Sequence, residues 1–189
     1  MAMTGKDLPL GSPLPSFELP IGGGEGRWRS AEAAGKPLLV LFLCNHCPYV
    51  LHIAEKLGTL ARGWQEQGLM VVGINANDPE TYPEDAPERM PAEAKRAGYT
   101  FPYLFDADQS VAKAFHAACT PDIFLFDAAG KLFYHGQFDF SRPKNNEPVT
   151  GADLDHAVQA LLQHRAPPSN VAPCMGCSIK WRAGNAPAD

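Results

Sequence analysis

LLVLFLCNHCPYVLHIAEKLGTLARGW, residues 38–64, joins an unbroken apolar run to a helical pattern across a CxxC turn. Leu38 to Leu43 has the length and continuous apolarity of a strand buried on both faces. From Val50 onward, Ala54, Leu57, Ala61 and Trp64 recur at helical spacing and predict an amphipathic helix. A thiol at such a strand-to-helix turn lies beside unpaired helix N–H groups and the positive end of the dipole, which favour its thiolate. Pro48 decides which cysteine starts the helix. With Cys47 as the N-cap, Pro48 falls at N1, where its missing N–H costs nothing; with Cys44 as the cap it would remove the first intrahelical hydrogen bond. Cys47 is therefore expected to be the attacking thiol and Cys44 its resolving partner, since CxxC spacing lets the two sulfurs close a small ring. The competing reading is a pair of buried free cysteines packing as small hydrophobes.

Outward from this unit, Gly68 ends the helix, and LMVVGINA, residues 69–76, predicts a second buried strand in a right-handed βαβ unit. Before it, a Pro- and Gly-rich opening leads to Phe17–Leu19, a GGGEG turn and Trp28, read as an N-terminal hairpin. After it come a proline-rich segment with a helix ending at Gly98, an FPYLF segment and a helix marked by Val111, Ala112 and Phe115. Two antiparallel strands, 122–127 and 131–137, follow around an AAG turn. A last helix is predicted to open with Thr150 and Asp153 as a capping box and to bury Leu154, Val158, Leu161 and Leu162. Strands alternating with helices, then a hairpin and a helix, specify an α/β fold. Its expected form is a mixed central sheet flanked by helices on both faces, with an inserted helical segment, in a thioredoxin-like layout. Residues 1–165 are expected to form this domain, and 166–189 a tail carrying a second CxxC, Cys174 to Cys177, with Ile179 and Trp181 as apolar anchors.

The chain's 189 residues, 45% apolar and 20% charged, suit one globular domain with a substantial core. A net charge of -5 argues against nucleic acid or an anionic membrane as the main partner. The opening residues lack the apolar core of a signal peptide and no stretch is long enough to span a bilayer, so a cytoplasmic location is expected. There, five cysteines read as redox-active or metal-binding more readily than as structural bridges. The acidic stretch 77–93, NDPETYPEDAPERMPAE, reads as a solvated loop and helix start without catalytic role. His46 is either a neighbour tuning Cys47 or an exposed loop residue. His135 and Asp139 are expected at the surface, while Tyr49 and Trp28 pack or line the cleft.

Five segments in order, GSPLPSFEL, CNHCPYV, GINAND, FPYLFDADQSVAKAF and CTPDIFLFDAAGKLFYHGQFD, resemble the thioredoxin superfamily. Within it they resemble the branch related to alkyl hydroperoxide reductase and thiol-specific antioxidant proteins, over about residues 8–164. CNHCPYV with CTPD, GQFDFSRP and GCSIKW also resembles a bacterial subgroup of uncharacterised thioredoxin family proteins. The resemblance implies a cis Pro121, with Thr120 presenting backbone to a bound substrate peptide and Cys119 near Cys44 and Cys47. Cys119 is then either a redox or gating thiol or simply buried. The chain departs from peroxiredoxins, which carry P-x-x-x-T-x-x-C: Val40 stands in the proline place, Cys44 in the threonine place, and Pro121 where an arginine is expected. It departs from thioredoxins in having Val50 three residues after the nucleophile, the dithiol being shifted upstream.

Three functions remain open. In the first, a thiol:disulfide oxidoreductase, Cys47 attacks a disulfide and Cys44 resolves the mixed disulfide. The second is a thiol peroxidase, in which a Cys47 sulfenic acid condenses with Cys44, Cys174 or Cys177. The absent threonine and arginine favour the first. Both take a disulfide or hydroperoxide substrate and a thiol electron donor, and neither calls for a cofactor. The third is zinc or copper(I) held by the two CxxC pairs, with His46 as a further ligand. The tail is expected to pack on the domain and bring a cysteine to the active turn as a second resolving or relay thiol.

Overall fold

The computed structural model describes residues 2–5 and 8–187; Met1, Lys6, Asp7, Ala188 and Asp189, which fall in the two spans 1–165 and 166–189, lie outside the described residues. The central sheet has five strands: β4 (Leu38–Phe42), β5 (Met70–Asn75), β6 (Tyr103–Phe105), β8 (Asp122–Phe126) and β9 (Leu132–His135). Their order is β6-β5-β4-β8-β9. β5 runs parallel to both β4 and β6, while β8 runs antiparallel to β4 and to β9, so the sheet is mixed. Every residue of β4 is buried, because alternate side chains feed two cores. Leu39 and Leu41 pack with Val50, Ile53, Leu57, Trp64, Leu154 and Val158. Leu38, Val40 and Phe42 pack with Phe17, Trp28, Phe115 and Phe124 on the opposite face.

The first face is covered by α1 (Pro48–Glu66) and α4 (Ala152–Leu162), tied by the Trp64 indole donating to Asp155 at 2.8 Å. The second is covered by α3 (Ser110–Ala114) and the N-terminal hairpin, β2 (Glu18–Pro20) paired with β3 (Arg27–Arg29). Cys47 is the N-cap of α1 and Pro48 its first residue, as the proline argument requires. Gly68, just past the helix, has φ 97, a backbone conformation that favours glycine. The proline-rich segment forms two short 3-10 turns before α2 (Met90–Ala97).

Two sequence readings need correction here. The N-cap of α4 is Gly151, at φ 70, not Thr150. Thr150 still serves the helix, its Oγ1 accepting the Ala152 N–H at 3.3 Å, and Asp139 fixes the chain that enters it: Oδ2 accepts the Thr150 and Gly151 N–H groups, each at 2.7 Å, and Oδ1 the Ser141 N–H at 2.8 Å. Asp139 is therefore buried rather than at the surface, and the side chain of His135, the last residue of β9, is only 8% exposed. Polar type suggested exposure, but both side chains have buried polar partners. Burial pushes the Asp139 carboxyl up, yet the Gly151, Ser141 and Thr150 donors hold it below the usual carboxylate range. Asp139→Ala strands these buried donors and is expected to cost about 2–4 kcal/mol of unfolding free energy, with Asp139→Asn costing less. Because the folded pKa is depressed, this contribution is present above the unfolded value of about 3.9 and fades as pH falls through the folded one. Denaturant titrations of both variants at neutral and acidic pH check it.

The remaining strands form a second, smaller sheet from the chain's two ends. β10 (Met175–Ser178) lies between β1 (Ala2–Thr4) and β7 (Cys119–Thr120), antiparallel to both. The tail thus packs on the body, with Cys174 and Ile179 buried. Among the described residues, no helix is long and apolar enough to cross a membrane.

Candidate active site

Parallel neighbours β4 and β5 deliver their following loops to the same end of the sheet. The loop after β4 carries Cys44 to Cys47; the loop after β5 carries Asp85, from the acidic stretch 77–93 to which sequence reading gave no role. Asp85 is fully buried against the active turn. Its Oδ1 accepts the Asn45 N–H at 2.6 Å, and its Oδ2 sits 2.7 Å from His46 Nδ1 and accepts from Asn77 Nδ2 at 2.8 Å. His46 also stacks flat on Tyr82, centroids 5.3 Å apart. Its ring is therefore fixed, and a ring nitrogen, the Cys44 sulfur and an Asp85 oxygen lie within 4.8 Å of one another. The sequence signal that could have found Asp85 is topological: a carboxylate in the loop after the neighbouring parallel strand.

The Thr120–Pro121 peptide is cis, as the resemblance implied, and it abuts the turn. The Cys44 sulfur is 3.4 Å from the Thr120 hydroxyl, and the Cys47 sulfur is 3.2 Å from the Thr120 carbonyl oxygen, to which its thiol form donates. Thr120 also pairs with Cys177 of β10, so the backbone edge expected to receive a substrate peptide is covered by the chain's own tail. The fit is close: a Cβ on Gly176 would lie 2.0 Å from the Thr120 carbonyl oxygen. Further hydrogen bonds seat the tail beyond β10, Ile179 N–H to the Ala118 carbonyl at 3.2 Å and Lys180 N–H to Asn77 Oδ1 at 2.8 Å. Cys44 and Cys47 are 1% and 0% exposed, while Cys177 is half-buried.

Three thiols therefore meet. The Cys47 thiol is pulled down to about 4: the neighbouring Cys44 thiol favours its anion most, and against the opposing effect of burial the Cys177 thiol, the Val50 N–H and the Cys177 N–H also favour it. The helix start contributes through Val50 without closing a capping hydrogen bond from the Cys47 side chain, so neighbouring thiols outweigh the helix terminus expected to dominate. Cys44 moves the other way, raised well above its ordinary value by burial, by the Cys47 sulfur and by the Asp85 charge. Cys177 is pushed up to about 11, first by burial and then by the Cys47 sulfur. Thiolate absorbance of the reduced protein near 240 nm is expected to include a transition near pH 4 that Cys47→Ser removes. Cys177→Ala, which deletes the side-chain donor, is expected to move that transition upward.

The other cysteines stand apart. Cys174 lies 3.9 Å from Cys119, sulfur to sulfur, beside Asp122. Among the described residues, the side chains gathered at ligand distance are Cys44 with His46 and Asp85, and separately Cys119 with Asp122 and Cys174. The two CxxC pairs do not converge on one four-sulfur centre: Cys177 faces Cys47 while Cys174 faces Cys119.

Comparison with known proteins matches residues 10–135 to the profile described as the AhpC/TSA family. A hypothetical protein, SMc02350, from Sinorhizobium meliloti 1021 is 48% identical in its solved structure, with a TM-score of 0.92 over 96% of this chain and 99% of that one. An uncharacterized conserved protein from Geobacillus kaustophilus is 44% identical, with a TM-score of 0.93 over 96% and 97%. The thiol-disulfide oxidoreductase ResA of Geobacillus thermodenitrificans is 28% identical over 124 residues, 65% of this chain. That match spans 66% of the ResA sequence, slightly under two thirds.

Proposed function

Because the chain belongs to the AhpC/TSA family and has its thioredoxin-like fold, we propose that it is a thiol:disulfide oxidoreductase with Cys47 as nucleophile and Cys44 as resolving thiol. The observation that carries this reading is the placement of the dithiol: Cys47 caps α1, and both its sulfur and that of Cys44 lie against Thr120 at the cis Pro121 bond, in surroundings that pull Cys47 down and push Cys44 up. The Cys47 thiolate attacks one sulfur of a substrate disulfide; a new S–S bond forms, the substrate's S–S bond breaks, and the departing thiolate takes up a proton. Mixed-disulfide formation removes the Cys47 charge and with it one cause of the high Cys44 pKa. Cys44 then yields its proton to the His46–Asp85 pair and attacks the Cys47 sulfur. The second substrate thiolate leaves, and a Cys44–Cys47 disulfide remains for a thiol donor to reduce.

Cys177 is the second resolving or relay thiol in this scheme, because β10 pairs it with Thr120, whose carbonyl lies 3.2 Å from the Cys47 sulfur. A thiol peroxidase is the second reading. It is supported by two thiols beside the Cys47 sulfur that would condense with a sulfenic acid, and disfavoured because Cys44 and Pro121 occupy the threonine and arginine places. Insulin reduction with a dithiol donor tests the order. Turnover is expected; undetectable reduction by folded protein that consumes hydrogen peroxide rapidly would reverse it.

A further inference from the structure

Cys119, Cys174, Asp122 and His135 form a buried cluster that the exchange scheme does not use. Cys119 and Asp122 are 0% exposed, Cys174 2%, and the His135 side chain 8%. The two sulfurs are 3.9 Å apart, and the Cys119 thiol also donates to the Pro121 carbonyl at 3.4 Å. Asp122 Oδ1 accepts from the Cys174 thiol at 2.8 Å and lies 2.8 Å from His135 Nε2; Asp122 Oδ2 accepts the Ala118 N–H at 3.0 Å. His135 is stacked on Phe124, centroids 4.2 Å apart. Gly5 closes the cluster from the N-terminal strand: its N–H donates to the Cys174 carbonyl at 3.0 Å, and a Cβ there would meet the Cys174 sulfur at 2.5 Å. Two thiols from segments 55 residues apart, next to a paired carboxylate and imidazole, are more than apolar filling.

We propose that Cys119 and Cys174 are a second redox couple of this chain, a peroxide-sensitive dithiol whose disulfide fastens the C-terminal segment to the strand leading into Pro121. The sulfur separation exceeds the roughly 2.05 Å of a disulfide, so side-chain rotation must bring the sulfurs together. Hydrogen peroxide is the oxidant, small enough to reach a site closed to larger molecules. Cys174 is the sulfur that attacks first. The Cys119 thiol and His135 pull it below its ordinary value against burial and the Asp122 charge, whereas Cys119 is strongly raised. For His135, burial works downward, but the bonds to Asp122 and Cys174 outweigh it and push it up to about 9.

As the Cys174 sulfur attacks peroxide, its proton passes to the Asp122 carboxylate it already donates to, and His135, pushed up to about 9 and so protonated at neutral pH, is the acid that serves the leaving group. An S–O bond forms, the O–O bond breaks, and the departing hydroxide takes a proton from His135 and leaves as water. Cys119 then attacks the Cys174 sulfenic acid; an S–S bond forms, the S–O bond breaks, and the Cys119 proton leaves with the hydroxide as a second water. Two thiols are oxidised and one peroxide is reduced. The bond anchors β10 just upstream of Cys177, so its formation holds Cys177 against Cys47.

This goes beyond the exchange reading and is tested without it, in the full chain carrying Cys44→Ser, Cys47→Ser and Cys177→Ser. Treatment with hydrogen peroxide is expected to remove both remaining thiols, counted after denaturation, and to yield a non-reduced peptide joining Cys119 to Cys174. His135→Gln in that background is expected to slow bond formation on the order of tenfold, by loss of the proton carrier. Wild-type protein treated and mapped in the same way provides the readout should the triple variant fail to fold. Two thiols that survive peroxide, or that end as sulfinic acids without a linked peptide, overturn the proposal. So does stoichiometric zinc in reduced protein that Cys119→Ser releases, which would make the cluster a metal site.

Discussion

Cys47→Ser is expected to abolish disulfide reduction, and Cys44→Ser to stop the cycle one step later with the substrate still attached. A serine hydroxyl at the start of α1 keeps the shape of the turn but lacks a thiolate near neutral pH, so the loss should be on the order of 10³-fold or more. Cys44→Ser keeps a hydroxyl donor beside Cys47, so the Cys47 thiolate and the first attack are retained. It removes the resolving sulfur. With a substrate analogue bearing a single activated disulfide, a mixed disulfide on Cys47 should accumulate and be visible by intact mass. The third thiol makes the double variant informative. If Cys177 resolves in parallel, the adduct on Cys44→Ser decays slowly to a Cys47–Cys177 bond, and adding Cys177→Ser makes it persist. Full activity of Cys47→Ser would sink the assignment of the nucleophile, and an adduct on Cys44 in wild-type protein would invert the order of the pair.

What was legible beforehand follows from how local each signal is. The continuous apolar run of β4, the helical spacing after Val50 and the proline at N1 are all encoded within about twenty residues, and these placed the turn and its cap. Asp85 was missed because its role depends on two loops meeting at one end of a parallel pair, which neither loop's composition states. Asp139 and His135 were put at the surface by residue type. Their burial depends on partners elsewhere in the chain: the Thr150 and Gly151 N–H groups for one, Asp122 and Cys174 for the other. β10 has four residues and no period, so its strand character comes wholly from the edges it joins. The same limit explains why the second CxxC looked like one unit. On a short extended segment, residues three apart face opposite sides, and Cys174 and Cys177 accordingly reach different sulfurs.

Gly176→Val is expected to open the active site. A Cβ at this position would overlap the Thr120 carbonyl oxygen at 2.0 Å and its carbon at 2.5 Å, both backbone atoms next to Pro121, so no side-chain rotation relieves the clash. The strand must move away instead. The cores on either side of β4 contain nothing from β10 except the packing of Cys177, so the five-stranded sheet should remain folded. Cys47 then loses its Cys177 donors and its cover together, and these act in opposite directions on its reactivity. Loss of the donors raises a pKa of about 4, but a moderate rise still leaves the sulfur mostly ionised at pH 7. Exposure acts without such a buffer: lowering the opening free energy by about 1.5–3 kcal/mol raises the open population roughly 10–100-fold. Iodoacetamide labelling of Cys47 at neutral pH should accelerate by that factor. A relay role predicts the opposite for catalysis, because multiple-turnover reduction by the same variant should slow once Cys177 is no longer delivered. Faster labelling with faster turnover would make β10 a cover and remove Cys177 from the cycle; unchanged labelling would mean that the strand does not shield Cys47 in solution.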